Sequence, residues 1–192
     1  MKNEISNILK LIENGETFKA LDGAKLFYKK DQKNIDAIKL LAYSYIQLGN
    51  FDQVIKVLEE GYKKKKDLKD FDYYNNMGYA LSQIEEYEEA ISYLKRAQEF
   101  KNSPSVKTCL AEVFLKQRNF VEAGEIILSA LEDIKKIGTK SFNKYANIFL
   151  LISEINSALN KDEETISLFN QILQNEFNEN IFFLLANINP NS

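Results

Sequence analysis

One pattern recurs along this sequence and governs what the chain can fold into: an amphipathic helix, a tight turn and a second amphipathic helix. Between Ile35 and Leu48, the residues Ile38, Leu41, Ala42, Tyr45 and Leu48 share one helical face. Gly49-Asn50 follows, a pair that readily takes left-handed conformations and ends a helix. A second apolar stripe, Phe51, Val54, Ile55, Leu58 and Gly61-Tyr62, completes an αα-hairpin. The unit then returns. An aromatic followed three residues on by a smaller apolar residue marks its phase in Phe51/Val54, Tyr87/Ala90 and Phe120/Ala123, at offsets of 36 and 33 residues. A fainter copy precedes these (Leu11, Gly15, Ala20, Phe27) and another follows (Phe149, Ile152, Ser153, then Asp162, Thr165, Phe169, Ile172). The offset from Ala123 to Thr165 is 42, so about eight extra residues are expected there, in longer helices flanking Gly138.

Composition removes most chemistries before any site is sought. The 192 residues contain no His, no Trp and one Cys, Cys109. Without His there is no Ser-His-Asp or Cys-His nucleophile system and no ordinary zinc site. A lone Cys makes no internal disulfide. Seven Gly and two Pro are too few for the turns of an all-β chain. Neither G-x-G-x-x-G nor G-x-x-x-x-G-K-[ST] occurs, so the usual phosphate cradles are missing. A formal charge of -3, from 25 basic and 28 acidic residues, argues against a general binder of polyanions. Glu4 and Glu13 interrupt the apolar positions near the N-terminus, and the longest apolar run, Ile181 to Ala186, falls far short of the ~20 residues of a membrane span. The expectation is a cytoplasmic protein with no membrane segment, no cofactor and no metal.

The recurring residues resemble the tetratricopeptide repeat (TPR) family. Its ~34-residue unit has a large residue at position 4, Leu-Gly/Ala at 7 and 8, an aromatic at 11, Ala at 20, a large apolar residue at 24 and Ala at 27. One unit here supplies Ile38, Leu41-Ala42, Tyr45, Val54, Leu58 and Gly61; the next Tyr74, Met77-Gly78, Leu81, Ala90, Leu94 and Ala97; the next Leu110-Ala111, Phe114, Ala123, Ile127 and Ala130. The departures lie in the first and fifth units and at position 32, where the family often has Pro; Pro104 falls two places later and is placed at the start of the next helix. Small residues at 8, 20 and 27 suit close helix crossings, and larger ones fill the gaps between them. The resemblance implies an all-α fold, a right-handed superhelical solenoid of about five helix hairpins plus a C-terminal capping helix. It implies a single domain over residues 1–192, with repeats at about 1–34, 35–70, 71–103, 104–138 and 139–177 and a terminal helix at 178–189. That terminal helix, with Ile181, Leu184, Leu185 and Ile188, has two readings: a packed cap, or an apolar surface through which the protein meets a partner or associates with itself.

Nothing in the sequence assembles a catalytic residue set. The acid pairs Glu85-Glu86, Glu88-Glu89 and Glu163-Glu164 stand at helix starts, where carboxylates complement the helix dipole. The basic run Lys63 to Lys66 closes a helix and is followed at once by Asp67, Asp70 and Asp72. Cys109 reads as a small, half-buried residue.

The informative surface is the inner face that the resemblance implies. In the TPR family, partners lie along positions 2, 5, 9, 12 and 13 of each first helix. By that phase the partner-binding candidates are Lys39, Tyr43 and Gln47 in one unit, Asn75, Tyr79 and Gln83 in the next, and Thr108, Glu112 and Lys116 in the third. Tyr43 and Tyr79 hold equivalent places and are expected side by side, with Lys39 and Asn75 one turn earlier. TPR domains that hold the C-terminal carboxylate of heat-shock chaperones need five residues, whose places here hold Lys39, Tyr43, Asn76, Ser105 and Cys109. Three of those five depart, including both cations of the third unit, so that specificity is excluded. Asp36, Asp72, Glu112 and Glu154 outnumber Lys39 and Lys116 on this face, which disfavours an RNA-binding helical repeat. The expected function is a non-catalytic protein–protein interaction module, an adaptor or scaffold that takes a peptide or protein segment in its groove. A secretion or assembly chaperone is the alternative, and an enzyme the least favoured.

Overall fold

The computed structural model of the chain describes residues 2–63, 69–138 and 146–174, together with 181, 183, 185 and 187. Among the described residues there are ten principal helices and no strand: α1 (Lys2–Glu13), α2 (Thr17–Lys30), α3 (Ile35–Ile46), α4 (Phe51–Tyr62), α5 (Phe71–Gln83), α6 (Tyr87–Phe100), α7 (Pro104–Lys116), α8 (Phe120–Ile137), α9 (Asn147–Ala158) and α10 (Asp162–Leu173). Consecutive helices pack as pairs. The fold is an all-α helical repeat solenoid. The chain forms two compact units, Met1–Lys101 carrying α1–α6 and Asn102–Ser192 carrying α7–α10.

The same turn closes every hairpin. Its hinge residue lies in the left-handed region in all five: Gly15 (φ 77°), Gly49 (φ 68°), Glu85 (φ 67°), Arg118 (φ 61°) and Asn160 (φ 56°). The next amide reaches back five residues to the preceding helix, as Glu16 N to Leu11 O (2.8 Å), Asn50 N to Tyr45 O (3.0 Å), Glu86 N to Leu81 O (3.0 Å), Asn119 N to Phe114 O (2.8 Å) and Lys161 N to Asn156 O (2.8 Å). The hinge amide itself donates to the carbonyl three residues back, as in Arg118 N to Leu115 O (2.9 Å). These two bonds make the Schellman motif, which satisfies carbonyls that a helix end otherwise leaves open. Only two of the five hinges are glycine. The others hold a strained backbone because the paired helices on either side fix it.

Within the first unit, small residues sit where helices cross. Ala20, Ala42, Ala80, Ala90 and Ala97 are all 0% exposed. Gly78 goes further: a Cβ there would meet Leu94 Cγ at 2.6 Å and Leu94 N at 3.1 Å, so α5 and α6 touch backbone to backbone. Leu58, Leu94 and Met77 fill the space between crossings. Tyr62 and Tyr73 are buried together with ring centroids 4.7 Å apart, and Tyr74 stacks on Phe100 at 5.5 Å. Side-chain caps start two helices. Asn34 accepts from Ala37 N (3.1 Å) ahead of α3, and Asp70 Oδ1 accepts from Tyr73 N (3.2 Å) ahead of α5.

In the second unit, Pro104 opens α7 with the φ a first helical turn requires. Ala111, Ala123 and Ala130 are fully buried, and Phe149 meets Phe169 edge-on at 5.8 Å. Helix α8 runs to 18 residues against 12–14 in the others, so at least part of the extra length falls before Gly138. Lys107 Nζ bonds Asp133 Oδ2 (2.5 Å) and Ser129 Oγ (2.8 Å), tying α7 to α8. Cys109 is buried, at 7% exposure. Of the terminal helix expected at 178–189, positions 181, 183, 185 and 187 are helical, with Ile181 buried and Phe183 exposed. Leu184 and Ile188, like Lys64 to Lys66, lie outside the described residues.

Candidate functional site

The first unit carries a groove of about 500 Å³ on its first helices. Helix α1 contributes Ile5 and Leu9; α3 contributes Asp36, Lys39, Leu40 and Tyr43; α5 contributes Asp72, Asn75 and Asn76. The turn geometry explains why these residues meet. Gly15, Gly49 and Glu85 occupy one place in successive hairpins, at spacings of 34 and 36 residues. Stepping by those spacings, Ile5 answers Lys39 and Asn75, while Leu9 answers Tyr43 and Tyr79. Asp36 answers Asp72 in the same way. Stacked hairpins place equivalent positions of their first helices alongside one another, so the groove is one stripe read across three repeats. Its apolar part is Leu9, Leu40 and Tyr43 with Ile5. The rest is amide and carboxylate.

Among the described residues, Lys39 is the one cation lining the groove, and its charge is already met. Its Nζ lies 2.5 Å from Asp70 Oδ2 and 2.8 Å from Asp72 Oδ2. Burial works against the ammonium, but the hydrogen bonds to Asp70 and Asp72 outweigh it and raise the Lys39 pKa above the usual lysine value. Asp70 divides its work. One oxygen caps α5, and the other holds Lys39. The groove and the residue anchoring its lysine therefore carry Asp36, Asp70 and Asp72 against Lys39 alone, an acidic balance.

The groove brings together Lys39, Tyr43 and Asn75 of the residues singled out from the sequence. Tyr43 is 39% exposed, with ring area open to solvent. Tyr79 does not line the groove; its ring is half-buried and meets Phe51 edge-on at 5.8 Å. Gln47 is exposed near the end of α3, and Gln83 is half-buried with its amide 3.4 Å from Ser82 Oγ. In the second unit, Thr108 is 5% exposed and its hydroxyl donates to the Pro104 carbonyl (2.8 Å). Thr108 thus differs from its expected place on an open face, because one turn of α7 takes up both its polar atom and its surface. Glu112 is half-buried and Lys116 exposed. Sequence reasoning missed Ile5, Leu9, Leu40 and Asn76 as parts of one site. The spacing of Gly15 and Gly49 was the signal for Ile5 and Leu9, and the spacing of Gly49 and Glu85 pairs Leu40 with Asn76 in the same way.

Among the described residues, no group of three His, Cys, Asp or Glu side chains could hold a metal ion, and no helix is long and apolar enough to cross a membrane.

No curated protein sequence matches the chain. The structure is similar to TTC0263, a thermophilic TPR protein of Thermus thermophilus, with 19% identity, a TM-score of 0.64 and coverage of 77% of this chain and 80% of that one. It is similar to a chain of the APC/C hetero-tetramer Cut9–Hcn1, with 17% identity, a TM-score of 0.78 and coverage of 96% of this chain but 35% of that one. It is also similar to MamA (41-end) from Desulfovibrio magneticus RS-1, with 12% identity, a TM-score of 0.67 and coverage of 90% and 93%. At these identities the likeness concerns the fold. The family model "Tetratricopeptide repeat protein 21 forth ARM domain" matches residues 73–179, more than half of the sequence. Five turns of one geometry, small residues at each crossing and that match lead to one assignment: the chain belongs to the tetratricopeptide repeat proteins, in the family of that ARM domain.

Proposed function

We propose that this protein is a non-catalytic interaction module and that the groove of its first unit receives a segment of a partner protein. The observation that carries the reading is the groove itself: about 500 Å³, open, and lined by apolar, amide and carboxylate side chains. Its volume falls in the range of specific binding sites. Tyr43 supports the same reading, since a half-open tyrosine offers contact area and a hydroxyl at small entropic cost. Asn75 and Asn76 offer donors and acceptors suited to a peptide backbone. One structural neighbour is a chain of the APC/C hetero-tetramer Cut9–Hcn1, which supports a place inside an assembly.

Site-specific photo-crosslinking tests this. The crosslinker p-benzoylphenylalanine is placed at Tyr43 and, as a control, at Phe18 of α2, which is 75% exposed and outside the groove. In the source cell, discrete protein adducts are expected from position 43 and not from position 18. Adducts of equal yield at both positions, or none at 43, would overturn the assignment of the groove.

A further inference from the structure

Resting on that reading, we infer that the groove selects a cationic amphipathic segment: an apolar side chain anchored among Leu9, Leu40 and Tyr43, flanked by Lys or Arg that meets Asp36 and Asp72. Charge decides this. Among the described residues a partner carboxylate would find one cation lining the groove, Lys39, and that ammonium is already held by two carboxylates at 2.5 and 2.8 Å. It could take only the one remaining N–H of that ammonium, and would then sit beside the carboxylates of Asp70 and Asp72. It would also enter a site where carboxylates outnumber cations, which like-charge repulsion opposes. A Lys or Arg meets the opposite situation. The side chains of Asp72 and Asp70 are 54% and 43% exposed, and Asp36 lines the groove wall. A cation placed there adds to the Lys39 cluster without breaking it. The apolar lining supplies the anchoring area, while the carboxylates set which sequences are accepted.

Selection from a random-peptide display library on the full chain is the test. Enriched peptides are expected to carry Lys or Arg within one helical turn of a large apolar residue. Synthetic copies should bind about three- to ten-fold more weakly to Asp36→Asn/Asp72→Asn, as expected for the loss of two partly exposed ion pairs. The same loss should follow when each peptide Lys is replaced by norleucine, a change on the ligand that leaves the protein intact. Affinity should also fall as salt rises to about 0.15 M. Enriched peptides that are acidic or neutral would overturn the inference. Binding lost in Tyr43→Ala but unchanged in Asp36→Asn/Asp72→Asn and by norleucine would overturn the charge selection and leave the groove reading standing. Binding indifferent to all three changes, or no enrichment at all, would overturn both.

Discussion

Gly78 and Gly124 are both buried inside helices, and the structure gives their replacement by alanine opposite signs. At Gly78 the new methyl would lie 2.6 Å from Leu94 Cγ, 2.9 Å from Leu94 Cδ2 and 3.1 Å from Leu94 N. Leu94 is 0% exposed, so its side chain has nowhere to turn, and its amide nitrogen moves only if α6 moves. Ordinary carbon contact at ~3.5–4.0 Å then requires the two helices to part by about an ångström. Alanine recovers about 1 kcal/mol of helix propensity over glycine, while overpacking costs about 1–3 kcal/mol. The contact includes backbone, which places the cost at the upper end and the net loss at about 1–2 kcal/mol. At Gly124 the nearest atoms are Ile155 Cγ2 at 3.5 Å and Leu159 Cδ1 at 3.8 Å, which is normal packing. There the propensity gain stands, and part of the ~0.8 kcal/mol of a buried carbon adds to it, for a net gain of about 1 kcal/mol. Urea unfolding of the full chain followed by helical circular dichroism reads both. The midpoint should fall for Gly78→Ala and rise for Gly124→Ala. Adding Leu94→Ala to Gly78→Ala should cost less than the two single changes together, because the methyl then has room. Equal signs for the two glycines, or strict additivity with Leu94→Ala, would refute the crossing argument.

Three further outcomes follow from other parts of the fold. Glu85→Gly relieves a non-glycine residue at φ 67° and should stabilise by about 0.5–1 kcal/mol, whereas Gly49→Ala, at φ 68°, should cost about 1 kcal/mol; paired urea melts check both signs. Lys107→Met leaves Asp133 only the longer contacts to Lys136 Nζ and Asn102 Nδ2, both 3.5 Å, and removes the hydrogen bond that chiefly holds its carboxyl below its usual range. A depressed carboxylate stabilises above its unfolded pKa and loses that contribution as pH falls through the folded value, so the roughly 1–2 kcal/mol destabilisation at neutral pH should shrink in acid below the ordinary aspartate range. Tyr62 is fully buried, its hydroxyl has no hydrogen-bond partner among the described residues, and burial pushes its pKa up to about 12. Because the folded state keeps a proton that the unfolded chain releases near pH 10, stability should decline as pH rises from there toward 12. Tyr62→Phe should reduce that decline and leave neutral-pH stability equal or higher by about 1 kcal/mol, read from melts across the pH range.

Much of the fold was legible because repetition multiplies weak signals. Ala20, Val54, Ala90, Ala123 and Thr165 stand at one place in five hairpins, and all five are 0% exposed. Their spacing equals that of the five left-handed hinges, although only Gly15, Gly49 and Asn160 announce a hinge by residue type. Glu85 and Arg118 carry no such mark. Their backbone is set by the helices they join, so the hinge was readable from the period and not from the residue. Length was equally visible: the interval of 42 residues before Thr165 called for extra helix, and α8 supplies at least some of it.

The site was less legible, for a reason that bears on how such grooves choose partners. Repeat phase assigns positions to a face but says nothing of what neighbouring faces do to their charge. Lys39 reads in sequence as a cation offered to a ligand; in the folded unit it is bound by Asp70 and Asp72 at the start of α5, 31 and 33 residues away. Asp70, outside every inner-face position, decides that outcome through a capping geometry that aims its second oxygen at Lys39. Tyr79 likewise leaves the groove because Phe51, at the start of α4, meets its ring edge-on. The apolar members of the groove follow the period, since packing repeats with the helices. Its electrostatics do not, because two carboxylates at a helix start, Asp70 and Asp72, reverse what the lysine can offer. In this chain that reversal turns a site resembling an anion clamp in its first residue, Lys39, into one whose open charges are acidic.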